Sequence, residues 1–218
     1  MNEQFKKMKT EKYIEQKLRL PKAGKQIIGS TDNDNIIVYQ AFNPNIARYA
    51  VSHQKFGGPY YSFNRMSWIK PGFLWMMYRA GWAEKENQQQ ILAITLPMNH
   101  FKTILSLATI TSFDNNLFET NEEWKQQLEK TDVRLQWDPD HDPEGQKQER
   151  KAIQLGMKGN TLKKFCTEWI IGISDITDFV KEEYKKVLSN SIDELNVPIE
   201  NILKIDDLEI EKRIGICE

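Results

Sequence analysis

An unbroken run of large apolar side chains occupies residues 73–78, which read FLWMMY. Pro71 precedes the run and Gly81 follows it; proline favours the first helical position, and glycine favours the left-handed residue that ends a helix. In a helix, these side chains cover every face, as in helices that are buried on most sides. Arg79 falls in the last turn, where a cation suits the helix dipole. The sequence therefore predicts a central helix that the rest of the chain must surround.

Strand-like and helix-like segments follow one another irregularly along the rest of the chain. Strands are predicted where β-branched and aromatic residues cluster between turn residues, at 36–42, 91–96, 133–137 and 152–157. Helices are predicted between them, and the longest is expected to run from Asn160 to about residue 188. Because no regular strand–helix–strand rhythm is present, the order favours the α+β class. We therefore expect a mixed or antiparallel sheet core and a long C-terminal helix.

Charge is distributed unevenly, although the net charge is only −1. Residues 1–28 carry eight Lys or Arg against three Glu, and residues 189–218 carry eight Asp or Glu against three Lys or Arg. We expect a single domain over 1–218, with a basic N-terminal arm or helix (1–25), a core (26–188) and an acidic C-terminal segment. The two charged segments are interpreted as solvated segments that touch each other, or as a basic arm that binds a polyanion.

The sequence indicates neither a membrane protein nor an oxidising compartment. No apolar run approaches the roughly 18 residues that span a bilayer, and the first residues lack the apolar core of a signal peptide. The two cysteines, Cys166 and Cys217, are far apart and do not resemble a disulfide framework. These features predict a cytoplasmic protein and leave its oligomeric state open.

No metal site is predicted from the spacing of the potential ligands. His53, His100 and His141 are scattered through the chain without metal-ligand spacing. The acidic residues within 138–149 partly match a calcium loop, but Pro143 stands where such a loop needs a glycine with positive φ. We interpret this stretch as a solvated acidic loop.

Four segments together resemble a known protein family. They read VYQAFNPNIARYAV, RMSWIKPGFLWMMYRAGW, VRLQWDPDHD and KAIQLGM, and the resemblance covers roughly residues 36–180. This combination is similar to domain of unknown function 4291, a label that implies no particular activity. One departure from the family's pattern is Ile28, since the family tends to have a basic residue just before the first strand.

The order of the elements is also similar to the opening of the ADP-ribosyltransferase fold. A strand that ends in the triplet YQA is followed by a helix, a turn with glycine, a strand that leads into a helix, and a third strand. The resemblance implies a cleft between two short sheets that binds NAD, so NAD is the candidate cofactor or substrate. Tyr39, Gln40 and Ala41 would occupy the signature positions, without the His or Arg that this fold uses there.

Cations and aromatic side chains flank the predicted central helix and form a first candidate site. Arg65 and Lys70 are suited to bind phosphate, and Tyr39 and Trp68 to flank a planar ring. Gln40 is the candidate partner of a ribose hydroxyl. The alternative is that the aromatic residues only pack the core and that the cations surround it.

A second candidate group lies on the strand predicted at 133–137. The alternation of a strand places Arg134, Gln136 and Asp138 on one side. Three polar groups that face one way at a strand end can form the wall of a site, and Asp138 is the candidate acid or base that the first group lacks. The alternative is an exposed strand face followed by an Asp-Pro turn.

Three functions are therefore open from the sequence. The first is an ADP-ribosyltransferase-like enzyme that acts on NAD or another phosphate-bearing nucleotide. The second is a nucleic-acid-binding module, which the basic N-terminal segment and the Arg- and Trp-rich segment motivate. The third is a protein-interaction domain whose contact surface is the acidic C-terminal segment.

Overall fold

The computed structural model describes residues 8–216 and has the α+β fold that the sequence predicts. The first seven residues of the predicted basic arm and Cys217 lie outside the described residues. The strands of the described part are β1 (Thr10–Lys12), β2 (Gly24–Lys25), β3 (Ile28–Asp32), β4 (Asn35–Phe42), β5 (Ser67–Ile69), β6 (Gln90–Pro97), β7 (Ala108–Ile110), β8 (Val133–His141), β9 (Lys147–Met157), β10 (Gly172–Asp175), β11 (Asn196–Pro198) and β12 (Asn201–Ile202). The α-helices are α1 (Tyr13–Arg19), α2 (Pro44–His53), α3 (Phe73–Ala80), α4 (Met98–Ser106), α5 (Asn121–Lys130), α6 (Gly159–Lys164), α7 (Thr177–Leu188) and α8 (Leu208–Ile214).

Two five-stranded sheets form the framework. The first has the order β10-β6-β4-β3-β12, and all of its neighbours are antiparallel. The second has the order β2-β9-β8-β7, with β5 also paired to β9, and it is mixed because β2 and β7 run parallel to their neighbours. The expectation of a mixed or antiparallel sheet core is therefore confirmed for both sheets.

The two sheets meet at one pair of residues. The amide of Tyr39 on β4 donates to the carbonyl of Lys70 at 2.7 Å, and the amide of Lys70 donates back to Tyr39 at 3.1 Å. Lys70 directly follows β5, which belongs to the second sheet. This bridge joins the sheets beside the start of α3.

The central helix predicted from the apolar run is α3. Phe73, Trp75 and Met77 are all less than 5% exposed, so the run is buried as expected except at Tyr78, which is 37% exposed. The helix ends at Gly81, which has the predicted left-handed conformation with φ 56°. It begins two residues later than expected, after Gly72 rather than at Pro71, and the side chain of a residue far along the chain satisfies its first amide.

The single long helix predicted from Asn160 to about residue 188 is wrong. The chain instead forms α6, a π-helical turn (Phe165–Trp169), strand β10 and then α7. The apolar residues of this stretch fit a helical period, but Gly172–Asp175 pairs with β6 and becomes the edge strand of the first sheet. Pairing with an open sheet edge supplies backbone hydrogen bonds between distant segments, which local periodicity does not reveal.

The two charged terminal segments contact each other. Strand β1 pairs antiparallel with β11, and Lys12 Nζ donates to the carbonyl of Glu194 at 2.8 Å. Arg19 donates to both Glu11 and the carbonyl of Glu200. In the described part of the basic segment, these two cations are therefore engaged within the protein.

None of the helices within residues 8–216 combines the length and the apolarity that crossing a bilayer requires.

Candidate functional site

A polar cleft opens where β5, α3 and the β8–β9 hairpin come together. Its volume is about 340 Å³. Its lining consists of cations, amides, one carboxylate and two indoles: Trp68, Lys70, Trp75, Arg79, Gln136, Asp138 and Gln154. The structure thus brings together four residues of the two groups predicted separately from the sequence.

Lys70 is the most unusual residue of the cleft. It is only 6% exposed, yet its ammonium group makes no hydrogen bond or ion pair with any residue in the described part of the chain. Burial, and after it the nearby charge of Arg79, together lower its pKa to about 8, whereas Asp138 opposes the shift. At pH 7 about a tenth of the molecules therefore hold Lys70 as a neutral amine.

Asp138 is held in one orientation by two amide side chains. Gln136 Nε2 donates to its Oδ1 and Gln154 Nε2 donates to its Oδ2, each at 2.8 Å. Both oxygens accept a hydrogen bond, so the carboxylate cannot rotate without losing one of them. Gln136 and Gln154 are direct partners in the β8–β9 pairing, which explains why both reach the same carboxylate.

Two indoles complete the walls. The Trp68 ring lies directly on the backbone of Gly156, since a Cβ built there would come within 2.7 Å of the indole. Trp75 is 4% exposed, and its Nε1 is a buried donor without an acceptor among the described residues. Buried donors normally have a partner, so this unpaired N–H on a residue of the cleft lining is a candidate group for contact with a ligand.

An aromatic stack supports Trp75 from behind. Its ring is stacked with that of His141 at a centroid distance of 5.2 Å, and His141 is stacked in turn with Tyr78 at 3.5 Å. Burial lowers the pKa of His141, and the nearby Asp140 carboxylate opposes this shift. The sequence interpretation of Trp75 as core is correct for its burial, but it missed the indole N–H.

Several predicted site residues lie elsewhere. Tyr39 and Gln40 point to opposite faces of β4, and both are buried and do not line the cleft, because both faces of the strand are covered at this point. Gln40 Nε2 instead donates to Ser67 Oγ at 2.8 Å and to the carbonyl of Trp68 at 3.0 Å. Arg65 is exposed on the loop before β5, and Arg134 lies farther along β8, so neither lines the cleft.

Three cleft residues were not predicted as site residues. Arg79 was interpreted as a helix-end charge and Trp75 as packing, while Gln154 was not singled out. Gln154 could have been found from the hairpin register, because a residue paired with Gln136 lies on the same face.

The acidic stretch within 138–149 is a β-hairpin rather than a loop. Asp140 forms a buried ion pair with Arg150 at 2.6 Å, and Asp142 accepts hydrogen bonds from backbone amides of the turn. Among the described residues, no three His, Cys, Asp or Glu side chains come together as a metal site.

Two other cavities are less suited to chemistry. One, of about 20 Å³, lies beside Tyr13, Glu200 and the Asp140–Arg150 pair, and it has room for about one water molecule. The other, of about 950 Å³, is an open groove whose lining mixes both charge signs, with Lys25 at 3.8 Å from Asp114.

A comparison with protein-family models finds one match. The model described as "Domain of unknown function (DUF4291)" matches residues 26–203, a range that includes every residue of the cleft. The resemblance stated from the four sequence segments is confirmed. No curated protein matches the chain.

Proposed function

The chain belongs to the family described as domain of unknown function (DUF4291), and from this premise we propose that it is an enzyme whose cleft binds a phosphate-bearing nucleotide. NAD is the first candidate substrate. The similarity in the order of elements to the ADP-ribosyltransferase fold supports this choice, because that fold holds NAD between two short sheets. In this chain the cleft is lined by strands of the second sheet and by α3, and its Lys70 forms the backbone bridge to β4 of the first sheet.

The observation that carries the proposal is the burial of Lys70 without a partner. Removing a cation from water costs several kcal/mol unless an anion compensates for the lost hydration. In the described part of the chain no carboxylate lies within ion-pair distance of this ammonium. An anionic ligand in the cleft supplies the missing partner, and groups with shifted pKa values cluster at functional sites.

Each wall of the cleft has a role toward such a ligand. Lys70 and Arg79 bind the phosphate, since their charges are of one sign and face the same space. Trp75 Nε1 donates a hydrogen bond to it, and the free face of Trp68 stacks on a planar ring. Asp138, fixed by its two amides, accepts from a ribose hydroxyl or takes a proton.

A binding experiment tests the proposal. The thermal midpoint of the full chain is measured with NAD, ADP-ribose, AMP and inorganic phosphate, each up to millimolar concentration. We expect NAD or ADP-ribose to raise the thermal midpoint. In Lys70→Met and Asp138→Asn, the apparent affinity derived from this rise should be at least tenfold weaker. Lys181→Met, at an exposed position on α7, is the matched control that should bind as the wild type does.

A turnover assay follows the binding experiment. Release of nicotinamide from NAD by the wild type, but not by Asp138→Asn, would support an ADP-ribosyl transfer or hydrolysis. If none of the nucleotides shifts the midpoint at millimolar concentration, the proposal is wrong. Salt-sensitive binding of an oligonucleotide without any mononucleotide effect would favour the nucleic-acid alternative instead.

A further inference from the structure

Lys70 also has the features of a nucleophile. We propose that Lys70 Nζ forms an imine with the anomeric carbon of a phosphorylated sugar whose C1 is free, such as the ribose end of ADP-ribose. This inference rests on the proposed function, because it uses the same cleft and the same phosphate partners. It narrows the substrate class to phosphate-bearing sugars that open to an aldehyde.

The position of the amine is the first argument. Lys70 lies at the junction of the two sheets, where both of its backbone groups are bound to Tyr39. Its side chain is nearly buried and ends at the cleft without a partner in the described chain. A nucleophile needs a lone pair that no hydrogen bond or ion pair occupies, and a desolvated lysine beside another cation meets this need.

The charges that face the amine are the second argument. Arg79 from α3 and Asp138 from β8 are the charged groups that act on it, while β4 contributes backbone and the buried Tyr39, whose pKa burial raises far above its ordinary value. Burial and Arg79 together lower the pKa of Lys70 to about 8. The neutral amine is thus populated at physiological pH.

Asp138 supplies the proton transfers that imine formation requires. The neutral amine attacks the aldehyde carbon, a C–N bond forms, and the carbonyl oxygen takes up the proton that nitrogen loses, which gives a carbinolamine. The second nitrogen proton then passes to the hydroxyl, which leaves as water while nitrogen forms the double bond to carbon. Asp138 carries the first proton from nitrogen to the carbonyl oxygen and the second from nitrogen to the leaving hydroxyl, and its two amides hold the carboxylate in one orientation for these transfers.

The buried acid Glu200 has no space beside it for a substrate. Glu200 is enclosed beside a cavity of about 20 Å³ that has no room for a substrate, and its carboxylate already accepts from Phe73. The open groove of about 950 Å³ has no unpaired buried polar group in its lining within the described residues.

Reductive trapping tests the inference. The full chain is incubated with ADP-ribose, ribose 5-phosphate or pyridoxal 5′-phosphate in the presence of cyanoborohydride, and adducts are located by peptide mass spectrometry. We expect one dominant adduct, at Lys70, which forms at least about tenfold faster than at the exposed Lys181. NAD has a blocked C1, so it should protect Lys70 without forming an adduct.

The outcomes separate the two proposals. Nucleotide binding without an adduct at Lys70 overturns the imine and leaves the proposed function intact. If pyridoxal phosphate is trapped at Lys70 and no nucleotide prevents this reaction, the result supports Lys70 as a nucleophile. The same result contradicts the proposal that the cleft binds a nucleotide. If adducts form on exposed lysines while Lys70 stays unmodified, the inference is wrong. The adducts are mapped on the wild-type protein, so this result does not depend on whether a variant such as Lys70→Arg folds.

Discussion

Gln40 Nε2 donates a hydrogen bond of 3.0 Å to the backbone carbonyl of Trp68, and thereby ties the first sheet to the strand that carries an indole of the cleft. A second bond from the same nitrogen, 2.8 Å long, reaches Ser67 Oγ. Gln40 is 2% exposed, so no water replaces these donors if they are removed. The residue predicted to contact the ligand thus acts behind the site, as a positioning residue.

Replacing Gln40 should weaken both stability and the cleft. In Gln40→Leu the Trp68 carbonyl and Ser67 hydroxyl lose their donor, and a buried acceptor without a partner costs about 1–3 kcal/mol. Urea unfolding measures the change. Gln146→Leu, at an exposed position of the hairpin, is the control and should stay within about 0.5 kcal/mol of the wild type. Equal stability of the two variants would contradict the positioning role.

A methyl group at position 156 should displace Trp68. In Gly156→Ala the new Cβ would lie 2.7 Å from the indole and 2.6 Å from the Met66 sulfur, so the ring must move. We expect a loss of about 1–3 kcal/mol in unfolding free energy and a weaker nucleotide-induced rise of the thermal midpoint.

The control for this change is Gly72→Ala. There the nearest atom to a new Cβ is Trp75 Cβ at 3.7 Å, which is an ordinary contact, and φ is −79°. This variant should bind ligand as the wild type does. If both glycine variants behave alike, the contact between Gly156 and Trp68 has no part in binding.

Lys70→Met should stabilise the protein while it abolishes binding. The folded state lowers the pKa of Lys70 from 10.5 to about 8, so below pH 8 the wild type bears the cost of a charged buried amine. We expect the variant to be more stable by about 1–3 kcal/mol at pH 7.

The pH profile checks the sign of this effect. Between pH 8 and 10.5 the unfolded state still binds the proton that the folded state has released, so the stability of the wild type rises with pH. The difference in unfolding free energy between Lys70→Met and the wild type should therefore decrease from pH 8 to 10.5. Urea unfolding at pH 7, 9 and 10.5 measures this difference. A variant that is less stable than the wild type at pH 7 would show that Lys70 is structural.

Glu200 should make the stability of the protein fall as pH rises, which is the opposite of the effect of Lys70 and occurs at lower pH. Burial raises its pKa from 4.5 to about 8, and the Phe73 amide that donates to it only partly opposes the shift. From pH 4.5 to 8 the folded state retains a proton that the unfolded state has lost, so this group's contribution to stability is full below pH 4.5 and is lost as pH rises towards 8. The loss amounts to at most a few kcal/mol.

Glu200→Gln keeps an acceptor for the Phe73 amide but does not titrate. Its unfolding free energy should therefore fall less than that of the wild type between pH 5 and 8. Glu182→Gln is a useful comparison, because Lys185 lowers the pKa of the exposed Glu182 and the contribution of that pair is lost only as pH falls. A wild-type profile that parallels Glu200→Gln over this window would contradict the raised pKa.

Local sequence patterns were sufficient for the parts of the fold that depend on neighbours in the chain. The apolar run of α3 and its left-handed Gly81 both follow from such patterns. The patterns failed at 160–188, where pairing of β10 with β6 decides the structure.

Local sequence patterns predicted only part of the cleft lining. Strand alternation correctly placed Gln136 and Asp138 on one face, and the Trp68–Lys70 segment was correctly singled out. Burial of Tyr39 and Gln40, by contrast, depends on which sheet covers β4, and that is a property of long-range packing. Arg65 has the same side chain as Arg79, and only the three-dimensional path of the chain distinguishes a loop arginine from one that faces the cleft.

The hydrogen bond from Phe73 to Glu200 spans 127 residues and has a consequence for how the molecule is made. A ribosome releases α3 well before it adds Glu200, so the first turn of this helix lacks its acceptor during most of translation. Until the C-terminal strands dock, the apolar faces of α3 have no complete cover and offer a binding site for chaperones. The cover of α3 is accordingly completed late in vectorial synthesis, when Glu200, Leu195 and Val197 reach the helix.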